Sequence, residues 1–214
     1  METARLRLEP IDLAHLEGFH EIWSDPDTTQ WSSRGISPSI DETKIRMTGI
    51  LPDPDRPGII NYGVFIRSLS PSTDTCPPNT SISTNPNPNP TPTQPAHHPL
   101  PSQPTQTAPL DQKVIGIIGI HNDNPVPELG YLFHPSAWGH GYATEAVAAF
   151  IPHYFGLRPE ARCIEAKVDT QNRASIRVLQ KSGFEEVETL VGGARAEWMV
   201  PSVRDLVVFR VKAG

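Results

Sequence analysis

Residues 128–155 read ELGYLFHPSAWGHGYATEAVAAFIPHYF, and the rest of the chain is arranged around them. The run 129–133 carries the aromatic and branched content of a strand. A tight stretch follows, Trp138-Gly139-His140-Gly141-Tyr142-Ala143, and then Ala146, Val147, Phe150, Ile151 and Tyr154 recur at helical spacing. Strand, glycine turn and helix together aim unpaired backbone N–H groups at an anion, with the helix dipole adding attraction. Glycine suits positions 139 and 141 because it lacks a Cβ and tolerates positive φ. The stretch reads as a pyrophosphate cradle.

Two familiar cradles do not fit. A P-loop needs Gly-Lys-Ser/Thr to close the turn, and Tyr142-Ala143-Thr144 does not supply it. A dinucleotide fingerprint needs a third glycine or alanine where Thr144 stands. The pattern resembles the GNAT superfamily of acetyl-CoA-dependent N-acetyltransferases, in its ribosomal-protein-N-acetyltransferase-like branch. The resemblance is carried in order and spacing by Leu129-Gly130-Tyr131, by Trp138-Gly139-x-Gly141-Tyr142-Ala143-Thr144-Glu145-Ala146, and by Asn172-Arg173-Ala174-Ser175 through Lys181-x-Gly183-Phe184.

Composition sets the outer bounds. A chain of 214 residues suits one domain, 1–214, with length enough for a core. A net charge of −6 argues against a nucleic-acid partner. No apolar run reaches the length of a membrane span, and the N-terminus lacks the apolar core of a signal peptide. Cys76 and Cys163 fall in a loop and a strand, which speaks against a disulfide. The expectation is a cytoplasmic protein, monomer or homodimer, with no metal.

Taken in order, the chain predicts a first strand over 4–8. A helix capped by Asp12 uses Leu13, Leu16, Phe19 and Trp23, and 24–27 end it. Ser37-Pro38 then predicts the cap of a second helix, with Ile40, Met47 and Leu51 as its buried stripe. Strands follow over 61–68 and 113–120. Between them, 70–112 holds half of the 24 prolines, and from 75 to 110 there is no Asp, Glu, Lys or Arg. That Pro/Thr/Asn-rich composition predicts a disordered insertion, and its His97-His98 pair reads as loop rather than metal site. Pro152 is expected to kink or end the central helix a turn early. Strand 163–168, a helix capped by Thr170 or Asn172 and stopped by Gly183, and closing strands over 184–190 and 206–211 complete the order β-α-α-β-β-β-α-β-α-β-β.

The resemblance implies an α/β GNAT fold. Its mixed central sheet of about seven strands is flanked by helices and splayed between the fourth and fifth strands. It implies acetyl-CoA bound along Leu132, Phe133, Trp138, Gly139, His140, Gly141, Tyr142, Ala143, Thr144 and Asn172. Backbone N–H groups near Leu132 and Phe133 would polarise the thioester. Acetyl transfer also needs the amine to lose a proton and the thiolate to regain one. Glu128 stands where the branch often places a carboxylate, and is the expected base, with His121, Asp123 and His134 as rivals. Ser175 is the expected proton donor to the thiolate. Trp31, Trp198 and His134 would line the acceptor, a small-molecule amine or a protein N-terminus. Arg177 and Lys181 are read as solvent-facing, and Cys163 as a packing residue. The alternative is a catalytically silent CoA-binding module with a regulatory or assembly role.

Overall fold

VIGIIGI, within the strand Val114–Asn122 (β3), is buried on both sides, as befits the middle of a covered sheet. A computed structural model describes residues 1–67 and 113–214, so the insertion at 70–112 with His97 and His98 lies outside the described residues. Around β3 the sheet runs β1-β2-β3-β4-β5-β7-β6. The other strands are Leu6–Pro10 (β1), Ile60–Ile66 (β2), Glu128–Phe133 (β4), Cys163–Asp169 (β5), Glu185–Arg195 (β6) and Val203–Lys212 (β7). The α/β GNAT fold expected from the sequence is the observed one.

Helices cover both faces. Tyr142–Leu157 (α4) and Arg173–Lys181 (α5) bury Ala146, Val147, Phe150, Tyr154 and Leu179 against Leu8, Ile118, Leu129 and Ile164. Leu16–Ser24 (α1) and Ile40–Thr48 (α3) pack Phe19, Ile22 and Met47 on Phe65, Val114 and Ile117 of the opposite face. β4 divides its side chains between the two: Leu129, Tyr131 and Phe133 join the α4 side, Leu132 the α1 side. β4 and β5 are parallel and paired only at Glu128↔Glu165, so they part toward their C-terminal ends. That gap is the expected splay.

Several local expectations shift. Asp12 caps a single 3-10 turn, Leu13–His15, before α1 begins. The segment read as a break holds a one-turn helix, Pro26–Thr29 (α2), capped by Asp25 with Pro26 at its first position. α3 is capped by Ser39, whose Oγ accepts from Glu42 N at 3.2 Å, not by Ser37. Ser37 is turned inward, where it accepts from buried Thr43 Oγ1 at 2.7 Å; Thr43, not exposed Ile40, takes the inner face. β6 continues past Gly192 and Gly193 because a register shift between Leu190 and Ala194 absorbs them.

Pro152 neither ends nor shortens α4, which runs sixteen residues through it. It sits on the exposed side, as does Ala148, whose carbonyl loses its helical N–H partner at position 152. Proline in a helix interior is about 3 kcal/mol less favourable than alanine, partly offset by the freedom alanine returns to the unfolded chain. Pro152→Ala is therefore expected to stabilise by about 2 kcal/mol, a rise of roughly 4–8 °C in Tm by thermal melt.

Candidate active site

The turn after β4 is built by its own side chains. His134 N–H donates to Ile115 O at 3.0 Å, closing the ladder. The His134 ring then caps the 3-10 turn Pro135–Ala137, with Nδ1 3.2 Å from Ser136 N and 2.8 Å from Ser136 Oγ. Trp138 folds back, its Nε1–H donating to Phe133 O at 2.7 Å. Gly139 and Gly141 both adopt φ of 77°, the left-handed region that side chains disfavour. A Cβ on Gly139 would meet no atom within 4 Å, so the turn is open on its outer side. α4 starts at Tyr142 with Gly141 as a cap that has no side-chain hydrogen bond. Its first-turn N–H groups, from His140 and Gly141 toward Ala143 and Thr144, are thus left for an anion.

A clamp from the segment just before β1 holds this turn, and sequence reading did not find it. Glu145 accepts from Thr3 Oγ1 at 2.6 Å, Arg5 N at 2.9 Å and Arg5 Nε at 2.7 Å. Arg5 Nη1 reaches His140 O at 2.9 Å, and its guanidinium lies 4.9 Å from the Tyr142 ring centre, on which His140 also stacks. Burial works to raise the Glu145 pKa, but the Thr3 and Arg5 hydrogen bonds outweigh it and hold the group ionised. An acid in the first turn of a glycine-capped helix was the available signal.

Ladder parity decides which backbone groups face the splay. The His134 N–H points to β3, and Glu165 N–H donates to Pro127 O at 2.8 Å from the β5 side. Successive strand residues direct their polar groups to opposite edges. Leu132 therefore bonds within the β3 ladder, opposite Ile117, and Leu129, Tyr131 and Phe133 face β5. Of the two residues expected from sequence to supply donors, Phe133 faces the gap and Leu132 does not; Tyr131 faces it as well. Past Glu128↔Glu165 this edge has no pairing with β5, so it is a free strand edge leading from the turn into the sheet.

At the vertex of the splay, Glu128 Oε2 accepts from Lys167 Nζ at 2.6 Å, and Oε1 lies 3.5 Å from His121 Nε2. His121, then Lys167, hold the Glu128 carboxyl down at about 2 against the opposing effect of burial. Asp123, two residues past His121, is turned against Gly58.

Across the gap, Asn172 caps α5 by accepting from Ser175 N at 3.1 Å; Thr170 does not serve as the cap. The Asn172 amide Nδ2 makes no hydrogen bond among the described residues. Tyr131 O–H donates to Ser175 O at 3.2 Å, tying β4 to α5 across the splay, and burial pushes its pKa up to about 12. Tyr131 stood in a quoted motif without a role; its reach to α5 is a contact that spacing does not reveal.

Trp31 and Trp198 come together on the α1 side, at the C-terminal end of β5. Trp198 packs on Gly35, and the Arg204 guanidinium sits 5.5 Å from the Trp31 ring centre. Arg204 Nη1 reaches Gln30 O at 2.8 Å and buried Asp169 Oδ2 at 3.3 Å, while Nη2 reaches Val200 O at 3.3 Å. One arginine thus joins α2, β5 and the β6–β7 loop into a wall. Both tryptophans remain partly exposed, at 36% and 43%.

Among the described residues no helix is long and apolar enough to cross a membrane. An uncharacterized N-acetyltransferase, p20 of Bacillus licheniformis, is 25% identical over 186 residues, 86% of this chain and 81% of its own length. The spermidine N-acetyltransferase of Vibrio cholerae, solved with CoA and spermine, superposes with a TM-score of 0.66 at 14% identity, over 98% of this chain and 96% of that one. An acetyl transferase of Salmonella typhimurium that modifies the N-terminal serine of ribosomal protein L7/L12 gives 0.66 at 16% identity, over 99% and 97%. Those two likenesses speak for the fold. The acetyltransferase (GNAT) domain model matches residues 5–185, from the Arg5 clamp to the first residue of β6, and the chain belongs to that family.

Proposed function

We propose that the protein moves an acetyl group from acetyl-CoA to a primary amine by direct attack. The observation that carries this is the β4 edge beyond the Glu128↔Glu165 pair, Tyr131 and the Phe133 N–H, running from the Gly139–Gly141 turn into the sheet without a strand partner. An edge of that kind hydrogen-bonds an extended amide-bearing arm as it would another strand, and pantetheine is such an arm. The turn takes the pyrophosphate on bare N–H groups. Asn172 offers its free Nδ2 to the same arm. The amine nitrogen bonds to the thioester carbon, the C–S bond breaks, and the Ser175 hydroxyl, beside Tyr131, returns a proton to the sulfur. Trp31 and Trp198 line the acceptor's apolar portion, and the Glu128–His121 pair at the vertex serves deprotonation. The acceptor is a small amine or a protein N-terminus, the two kinds of substrate named for the structural neighbours.

The test is a screen of polyamines, aminoglycosides and N-terminal peptides with acetyl-CoA, reading release of free CoA. Release with at least one amine is the expected result. Measurable CoA binding with no release from any amine overturns it in favour of a silent CoA-binding module.

A further inference from the structure

We infer that His121 is the general base of the transfer and that Glu128 is the carboxylate that orients it, a reading that rests on the acetyl transfer proposed above. The first observation is the seat of the imidazole. His121 Nδ1 lies 2.9 Å, and Cε1 3.3 Å, from where a Cβ on Gly130 would stand. Gly130 is not among the glycines with positive φ, so no backbone conformation demands it. What its missing side chain provides is room for the ring above the middle of β4.

The second observation is the partner of the other ring nitrogen. Nε2 faces Glu128 Oε1 at 3.5 Å, and Glu128 is itself fixed by Lys167 on Oε2 at 2.6 Å. A carboxylate opposite Nε2 favours the proton there, which leaves the lone pair on Nδ1, the nitrogen over Gly130. Gly130 lies between Leu129 and Tyr131, the residues whose backbone faces the splay. The lone pair therefore stands on the α1 side of the strand, the side of the Trp31 and Trp198 wall, beside the open edge.

Chemistry separates the two candidates. Both Glu128 oxygens are engaged by groups that prefer it ionised, which makes it a weak proton acceptor from an ammonium of pKa about 10. An imidazole is the side chain suited to proton exchange near neutrality. In the step, Nδ1 takes the ammonium proton, directly or through one water, and the freed amine pair bonds to the carbonyl carbon as the C–S bond breaks. Ser175 supplies the thiolate's proton and is reprotonated by the second proton leaving the attacking nitrogen, while the imidazolium yields the first to solvent, so charge and atoms balance. Among the described residues the charged groups recorded at His121 are Glu128 directly and Lys167 through it.

The experiment uses the full chain, acetyl-CoA and an amine that the screen identifies. His121→Gln is expected to lower kcat by about 10²–10³ while acetyl-CoA affinity by calorimetry stays within about twofold. The acid limb of the kcat/KM profile should disappear. Glu128→Gln should cost only about tenfold and keep that limb, because the imidazole remains, and Asp123→Asn should match wild type. Ring ¹⁵N spectra of the free protein at alkaline pH should show His121 protonated on Nε2. A His121→Gln rate within about threefold of wild type, or a Glu128→Gln loss as large with the limb gone, overturns the assignment; so does an Nδ1–H tautomer. If wild type acetylates no amine at all, it is the transfer reading that falls, and the tautomer still reports whether Glu128 orients the ring.

Discussion

Gly141→Val is expected to lower acetyl-CoA affinity by at least about tenfold, or roughly 1.4 kcal/mol, in a calorimetric titration. The residue caps α4 at φ 77°, where its N–H and those of the next turn are bare. A branched side chain there stands in front of the donors and meets Arg5, whose Nη2 is 3.6 Å from the Cβ position. It also costs about 1–2 kcal/mol in backbone strain, so some loss of Tm accompanies the loss of binding. Gly183→Val separates the two effects. Gly183 has φ 87° with nothing within 4 Å of its Cβ position, but it follows α5 at the end away from the cradle. It should lose comparable stability and keep its affinity. Equal affinities for wild type and Gly141→Val would remove the cradle from this turn.

What made the cradle readable is that it is local. Strand, turn and helix all lie within residues 128–157, and the two glycines mark the left-handed positions directly. The α5 start was readable for the same reason, since Asn172 caps it within its own segment. What escaped depends on contacts far apart in the chain. The Arg5–Glu145 clamp joins residues 140 apart, and the Lys167–Glu128 bond joins β5 to β4 across 39. Neither spacing has a pattern. Ladder parity was hidden as well: which of Leu132 and Phe133 faces the gap follows from one hydrogen bond, His134 N to Ile115 O, at the end of the strand. Pro152 misled because a local rule carries no term for which side of a helix meets water. α2 was missed although Asp25-Pro26 is the same cap-and-proline signal that was credited, two residues too early, at Ser37-Pro38.

The ion pair at the vertex also fixes an acid-stability profile. The Glu128 carboxyl sits at about 2 in the fold against an ordinary 4.5, held first by His121 and then by Lys167. A carboxyl with a depressed folded pKa contributes stability that is complete above its unfolded value. The contribution is lost as pH falls toward the folded one. The window is therefore pH 4.5 down to about 2. The nominal size is about 3 kcal/mol, and water around Lys167 and His121, 34% and 42% exposed, discounts it to about 2. Glu128→Gln is expected to be less stable by that amount at neutral pH, roughly 4–8 °C in Tm, and to converge on wild type as pH approaches 2. Lys167→Met should recover little of the gap, because the lysine left behind by the glutamine is partly solvated and carries only a small penalty. Denaturant melts at pH 7, 4.5 and 3 read the profile. A gap that stays constant across that range assigns the loss to packing and releases Glu128 from the charge pair. A gap that closes shows a carboxylate ionised well below neutrality, and a group so held in its charged form orients His121 better than it accepts a proton.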